Sequence, residues 1–153
     1  MIRPARIDDA PAIADIWNTA IRDSVATFTT KPKYVADIEA LIKSQPVWIA
    51  KERTGFASYG PFRPGPGYAK TAEHSIYLSP EHTGKGLGRL LMDAVETHAS
   101  GAGLHCLIAG LSGENRAAIA FHSALGFQTV GRIAEAGWKF NRWHDLVLMQ
   151  KFL

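Results

Sequence analysis

The chain has 153 residues, the size of one domain with a full core. Hydrophobic residues make up 46% and charged residues 20%, an ordinary soluble composition, and no apolar run reaches the length of a transmembrane helix. A formal net charge of +3 with no consecutive Lys or Arg is thin for a nucleic-acid binder and enough for a small anionic ligand.

The opening "MIRPARIDDAP" carries charge where a signal peptide needs an apolar stretch. It reads as a short strand, after which Asp8 or Asp9 caps a helix with Pro11 in its first turn. Ile13, Ile16, Trp17, Ala20 and Ile21 recur at helical spacing, and "SVATFTTKPK" breaks the pattern before a second helix over Tyr34 to Lys43. "PVWIAKE" and "FASYGPF" read as strands around a short "RTG" turn, and "RPGPGYAK" as a rigid loop. "AEHSIYLS" is a further strand, "LGRLLMDAVETHAS" a helix ended by Gly101 and Gly103, and "LHCLIAGL" a central strand. "GENRAAIAFHSALG" is a helix ending at Gly126, and "FQTVGRIAEAGW" and "WHDLVLMQKFL" close the chain as strands. The order β-α-α-β-β-β-α-β-α-β-β predicts one α/β (α+β) domain over residues 1–153, a mixed central sheet with helices on both faces. Cys106, the single cysteine, lies within the apolar strand. It excludes an internal disulfide and suits a buried thiol in the cytoplasm.

Residues 82–89, "HTGKGLGR", stand between a strand and a helix. A helix start offers unpaired N–H groups and the positive end of the macrodipole, and glycine lets an anion come close to the backbone. The G-x-G-x-G spacing matches neither a dinucleotide fingerprint nor a P-loop, since Lys85 is followed by Gly86. From these residues alone, an ordinary glycine-rich turn remains an alternative.

The strand, the segment Thr83–Gly88 and the following helix resemble the pyrophosphate-binding segment of the GNAT N-acetyltransferases. The second signature of that superfamily is matched by Asn115, Ala118, Phe121, His122, Gly126 and Phe127. "AEHSIYLSPEHTGKGLG", "FHSALGF" and "WHDLVLMQ" resemble, more narrowly, the phosphinothricin / methionine sulfoximine N-acetyltransferases. Two departures are Thr83, where that signature has Gln or Arg, and an unusually short "KERTGFASYG" hairpin.

The resemblance implies a GNAT fold, acetyl-CoA as co-substrate without a metal, direct attack by an amine, and a homodimer with the acceptor site near its interface. No nucleic-acid or membrane partner is expected. Gly84, Lys85, Gly86, Leu87, Gly88 and Arg89 would hold the pyrophosphate. The backbone of Ile76, Tyr77 and Leu78 would hold the acetyl group, with the Leu78 N–H polarising its carbonyl. Asn115 would bind the pantetheine arm or merely cap its helix, and Ala124 joins the cofactor-binding set. Strand alternation puts Glu73, Ser75, Tyr77 and Ser79 on one face and His74, Ile76 and Leu78 on the other. Glu73 is then a general base for the acceptor ammonium, or else one half of a salt bridge. His122 stands where many members protonate the leaving thiolate with a tyrosine; it does the same or only packs there. Cys106 within its strand is a poor acyl carrier.

For the acceptor, the resemblance places Arg63 of "GPFRPGPG" against a substrate carboxylate, with Pro64 and Gly65 shaping the loop. An exposed loop arginine is the alternative. Phe28, His74 and Ser75 complete the pocket set, and Trp143, His144 and Asp145 frame the site, or Trp138 and Trp143 are core or interface residues. The implied acceptors are methionine sulfoximine, methionine sulfone and phosphinothricin. Two other functions use the same residues. One is acetylation of peptide N-termini or polyamines, which the compact loop opposes. The other is an idle acyl-CoA-binding module, which intact Glu73 and His122 oppose.

Overall fold

The computed structural model describes residues 1–153. Its strands are β1 (Ile2–Pro4), β2 (Val47–Ala50), β3 (Gly55–Pro61), β4 (Thr71–Leu78), β5 (Cys106–Ser112), β6 (Gln128–Lys139) and β7 (Arg142–Phe152). The helices are α1 (Ala10–Asp23), α2 (Val35–Ser44), α3 (Leu87–Gly101) and α4 (Arg116–Ala124). All seven strands form one sheet in the order β1-β2-β3-β4-β5-β7-β6, antiparallel except for the central β4–β5 pair. The chain order of elements matches the sequence expectation, with short 3₁₀ turns added between them.

Side-chain alternation along the strands builds two cores. Val47, Ile49 and Phe56 pack under Ile13, Ile16 and Ile38 of α1 and α2. Their neighbours Trp48, Ala50, Ala57 and Tyr59 face Leu91, Met92, Val95 and Ala99 of α3 on the other side. Burying each large aliphatic side chain contributes about 2 kcal/mol. Helices therefore cover both faces, and no helix is long and apolar enough to cross a membrane.

The capping expectation at α1 needs a correction. Asp9 precedes the helix, but its carboxylate makes no cap bond to it. It accepts instead from the Arg6 N–H (2.8 Å) and from both ends of the Arg3 guanidinium (2.8 and 2.9 Å), with Arg53 3.2 Å away. These bonds tie the helix start to β1 and to the short β2–β3 connection, where Glu52 and Arg53 adopt left-handed backbone conformations.

Asp9 is almost wholly buried, and the Arg3 hydrogen bond holds its pKa down at about 2. Asp9→Asn is expected to cost about 2 kcal/mol in a urea titration at neutral pH. A depressed folded-state pKa gives stability that is present above the unfolded value of 3.8 and lost as pH falls toward about 2. The gap between wild type and Asp9→Asn therefore closes across that acid range.

Candidate active site

β4 and β5 pair only at Thr71↔Cys106, Ala72↔Leu107 and Glu73↔Ile108. Beyond Glu73 the two parallel strands part, while β4 keeps its full ladder to β3 as far as Leu78. The Ser79 N–H donates to Thr54 O on the β3 side. Alternation along the strand therefore turns the N–H groups of Leu78 and Ile76 into the gap. A cavity of about 740 Å³ fills this gap, lined by β4 from Glu73 to Leu78 and by β5 from Ala109 to Ser112.

One end of the cavity suits an anion. Gly84 (φ 75°) and Gly86 (φ 82°) adopt the left-handed conformation that favours glycine, and a Cβ on either would meet nothing within 4 Å. The backbone there is bare and approachable. Gly86 precedes α3 without a side-chain cap, so the first-turn N–H groups of Leu87, Gly88 and Arg89 remain available. Gly88 has a second reason to lack a side chain: its Cβ would stand 3.0 Å from Phe121 of α4. Lys85 and Arg89 are exposed beside this cradle and belong to no ion pair. Thr83 turns its hydroxyl back to donate to Pro80 O (3.0 Å), leaving the backbone cradle open. These features fit the diphosphate and pantetheine of acetyl-CoA. Asn115 lines the same cavity and caps α4, its Oδ1 accepting from the Ala118 N–H (3.1 Å) while Nδ2 stays unengaged. Ala124 is exposed at the far end of α4 and does not line the cavity.

Glu73 is the last residue of β4 paired to β5 and the only carboxylate lining the cavity. It forms no ion pair or side-chain hydrogen bond, so the salt-bridge alternative has no partner here. Its Oε2 lies where a side chain on Gly110 would crowd it, 3.2 Å from that Cβ position. The carboxylate presents surface to the cavity, yet the strands around it strip away hydration and raise its pKa. Ser75 and Tyr77 share its face, and His74 lies on the opposite one.

His74 and His122 form a buried pair at the cavity floor, with Nε2 atoms 2.9 Å apart. Ala118 O can only accept, so His122 Nδ1–H donates to it at 2.8 Å. His122 Nε2 then carries a lone pair that accepts the His74 Nε2–H. His74 Nδ1 is left buried without a partner. Burial, with a smaller push from His122, lowers the His74 pKa to about 3, and burial lowers that of His122. Both His122 nitrogens are engaged within the fold, Nδ1 with Ala118 O and Nε2 with His74.

The opposite wall comes from residues 25–29 and Lys33, between α1 and α2, together with Trp17. This segment has no regular structure and is held by side chains. Phe28 packs against Gly137, where a Cβ would collide with it, and stacks on His144 at 5.4 Å. The Lys139 ammonium, almost wholly buried, donates to the carbonyls of Ser24 (2.5 Å) and Thr27 (2.8 Å). Arg63, Pro64 and Gly65 are not brought to the cavity; the Arg63 guanidinium lies over Tyr68, 5.7 Å from its ring centre. Cys106 is buried away from the cavity. No group of three His, Cys, Asp or Glu residues forms a metal centre. Sequence reasoning missed Trp17, Lys33 and Lys139. The apolar periodicity hid Trp17 in a core stripe, and nothing local marks either lysine.

The histidine pair makes stability depend on pH. Both side chains are neutral in the fold, whereas an unfolded histidine takes up a proton near its ordinary 6.5. The unfolded state then binds more protons, so stability falls as pH drops below that value. His74→Gln keeps a donor for His122 but does not titrate. Its urea midpoint is expected to fall less between pH 7 and pH 5 than that of wild type.

Known proteins share this architecture. An L-amino acid N-acyltransferase of Escherichia coli is 38% identical over 97% of this chain and 91% of its own length. A methionine sulfoximine/methionine sulfone acetyltransferase of Pseudomonas paraeruginosa is 36% identical over 97% of this chain and 92% of its own. A Salmonella typhimurium acetyltransferase solved with acetyl-CoA superposes with a TM-score of 0.96 at 35% identity, over 100% of this chain and 93% of its own. A Sinorhizobium meliloti phosphinothricin acetyltransferase in complex with acetyl-CoA gives 0.95 at 32%, over 100% and 88%. Residues 13–127 match the model of the acetyltransferase (GNAT) family. The parted strands, the bare glycine cradle and these likenesses agree: the chain belongs to the GNAT family of acetyltransferases.

Proposed function

We propose that this enzyme transfers the acetyl group of acetyl-CoA to the α-amine of a small amino acid or analogue. Methionine sulfoximine, methionine sulfone and phosphinothricin are the acceptors to which its relatives point. The observation that carries the reading is Glu73, an unpaired carboxylate of raised pKa at the point where β4 and β5 part. Bound acetyl-CoA supplies a thioester carbonyl, which becomes electrophilic when its oxygen accepts a hydrogen bond. The Leu78 and Ile76 N–H groups face the gap and serve as those donors, strengthening as charge develops on the oxygen. Glu73 takes one proton from the acceptor ammonium, directly or through a water, and passes it to solvent. The freed amine attacks, the carbon–sulfur bond breaks, and the second amine proton reaches the sulfur through water. His122 shapes the floor without exchanging a proton.

Both ligands are small molecules, in a cytoplasmic enzyme whose one buried thiol suits a reducing compartment. The same reading includes a homodimer. The sheet ends on β6, a long edge strand, and Val130, Ile133, Trp138, Phe140 and Trp143 on the β6–β7 hairpin are exposed. Arg63 lies outside the cavity of its own chain.

Thiol release from acetyl-CoA with a panel of amines tests the acceptor. Turnover is expected with small amino acids and their sulfone or phosphinate analogues; preference for polyamines or peptides overturns it. Glu73→Gln is expected to lower kcat by a factor on the order of 10²–10⁴ while acetyl-CoA still binds. In light scattering, wild type is expected at twice the 16.7 kDa chain mass, and Trp143→Glu at that mass itself.

A further inference from the structure

Two charged side chains line the cavity, Glu73 and Lys33. Glu73 has a task in the reading above and Lys33 has none. Lys33 lies near the end of the irregular segment between α1 and α2 and is half-buried. Asn18 of α1 grips its main chain from both sides: Nδ2 donates to Lys33 O at 2.9 Å and Oδ1 accepts from Lys33 N at 2.7 Å. These two bonds anchor the backbone of Lys33 to α1. That side chain lies across Trp17, with Nζ 4.6 Å from the ring centre. Trp17 is itself wedged against Phe56 and Tyr77, at 5.3 and 5.5 Å between ring centres.

The ammonium at the end of this mounting has no anion. It enters none of the seven ion pairs of the molecule and donates no side-chain hydrogen bond. An exposed lysine needs no partner. A half-buried one inside a cavity, with its backbone clamped and its stem laid on an aromatic platform, has one half of an ion pair already in place. Arg63, Lys85 and Arg89, which also belong to no ion pair, do not line this cavity.

We propose that Lys33 receives the carboxylate of the acceptor, so that the cavity reads an α-amino acid as a zwitterion, its ammonium toward Glu73 and its carboxylate toward Lys33. This rests on the amino-acid reading above and adds the residue that selects for it. A polyamine would bring a second cation against Lys33, and a peptide N-terminus carries an amide where the carboxylate should be. Lys33 thus discriminates by repulsion as well as attraction.

The test compares methionine sulfone with the amine left when it loses its carboxyl group, using wild type, Lys33→Met, Lys33→Arg and Arg63→Ala. In wild type the carboxylate-bearing acceptor is expected to have the higher kcat/KM. Lys33→Met should shrink that ratio by roughly 10- to 100-fold through KM for methionine sulfone, and Lys33→Arg should restore part of it. The inference is overturned if Lys33→Met leaves the ratio unchanged, lowers kcat/KM for both acceptors alike, or raises KM for acetyl-CoA instead. It is also overturned if Arg63→Ala alone collapses the ratio. Calorimetric binding of methionine sulfone in the presence of CoA separates the two readings. Weaker binding by Lys33→Met supports the carboxylate contact even if no amino acid is turned over, a result that would sink only the proposed function. Absence of binding to wild type overturns the contact itself.

Discussion

The site depends on the parting of β4 from β5 after three residue pairs. Most unpaired strand edges inside a sheet would be costly, because each buried N–H or C=O without a partner forfeits about 1–3 kcal/mol. Here the cost is avoided in two ways. β4 remains fully paired to β3 on its other edge, and the freed edge faces a cavity wide enough to hold water. The N–H groups of Ile76 and Leu78 therefore face space that water can enter. The divergence also sets the start of α3. β4 ends at Leu78, and the chain turns through Pro80–His82 and the left-handed glycines before α3 begins at Leu87. One geometric event turns two strand N–H groups into the gap, sets the bare glycine backbone at its end and opens the cavity between.

The acceptor wall obeys a different rule. Residues 24–33 have no ladder or helix to hold them, and their local bonds are short-range turns such as Ser24 Oγ with Ala26 N. Their position comes from distant side chains. Lys139 pins the carbonyls at the exit of α1, Gly137 leaves the hollow that Phe28 fills, and Asn18 closes the far end at Lys33. A buried ammonium is costly unless its hydrogen bonds are satisfied, and burial indeed lowers the pKa of Lys139. The carbonyls it collects offset that cost and convert it into a fixed loop. The β6–β7 hairpin is thus part of the site although none of Gly137, Lys139 or His144 lines the cavity.

This division explains what the sequence made legible. Strand alternation in "AEHSIYLS" is a local property, so the split between Glu73 and His74 faces was readable from spacing alone. The glycines of "HTGKGLGR" advertise left-handed backbone, and two of them adopt it. Lys33 and Lys139 had no such signal. A lysine in "TTKPKY" looks like loop solvation, and one in "GWKFNR" looks like a hairpin tip; only the tertiary packing buries the second and lays the first on Trp17. The place of Arg63 was not legible either: the family resemblance set it against an acceptor carboxylate, and the proline-rich turn lays it over Tyr68, outside the cavity of its own chain. Asp9 shows the same limit on a smaller scale, since its helix-start position was legible and its true partners, Arg3 and Arg53, were not.

The histidines complete the electrostatics of the cavity by contributing no charge. A protonated imidazole on the floor would compete with Lys33 for an acceptor carboxylate and would pull the Glu73 pKa down, working against proton abstraction. The hydrogen bonds from Ala118 O through His122 to His74 are satisfied with one proton per ring, and burial makes a second proton costly on either. The cavity is left with one anionic and one cationic side chain separated by neutral surface. Away from the anion cradle at the start of α3, such a pair favours an acceptor that carries both signs, which an α-amino acid does.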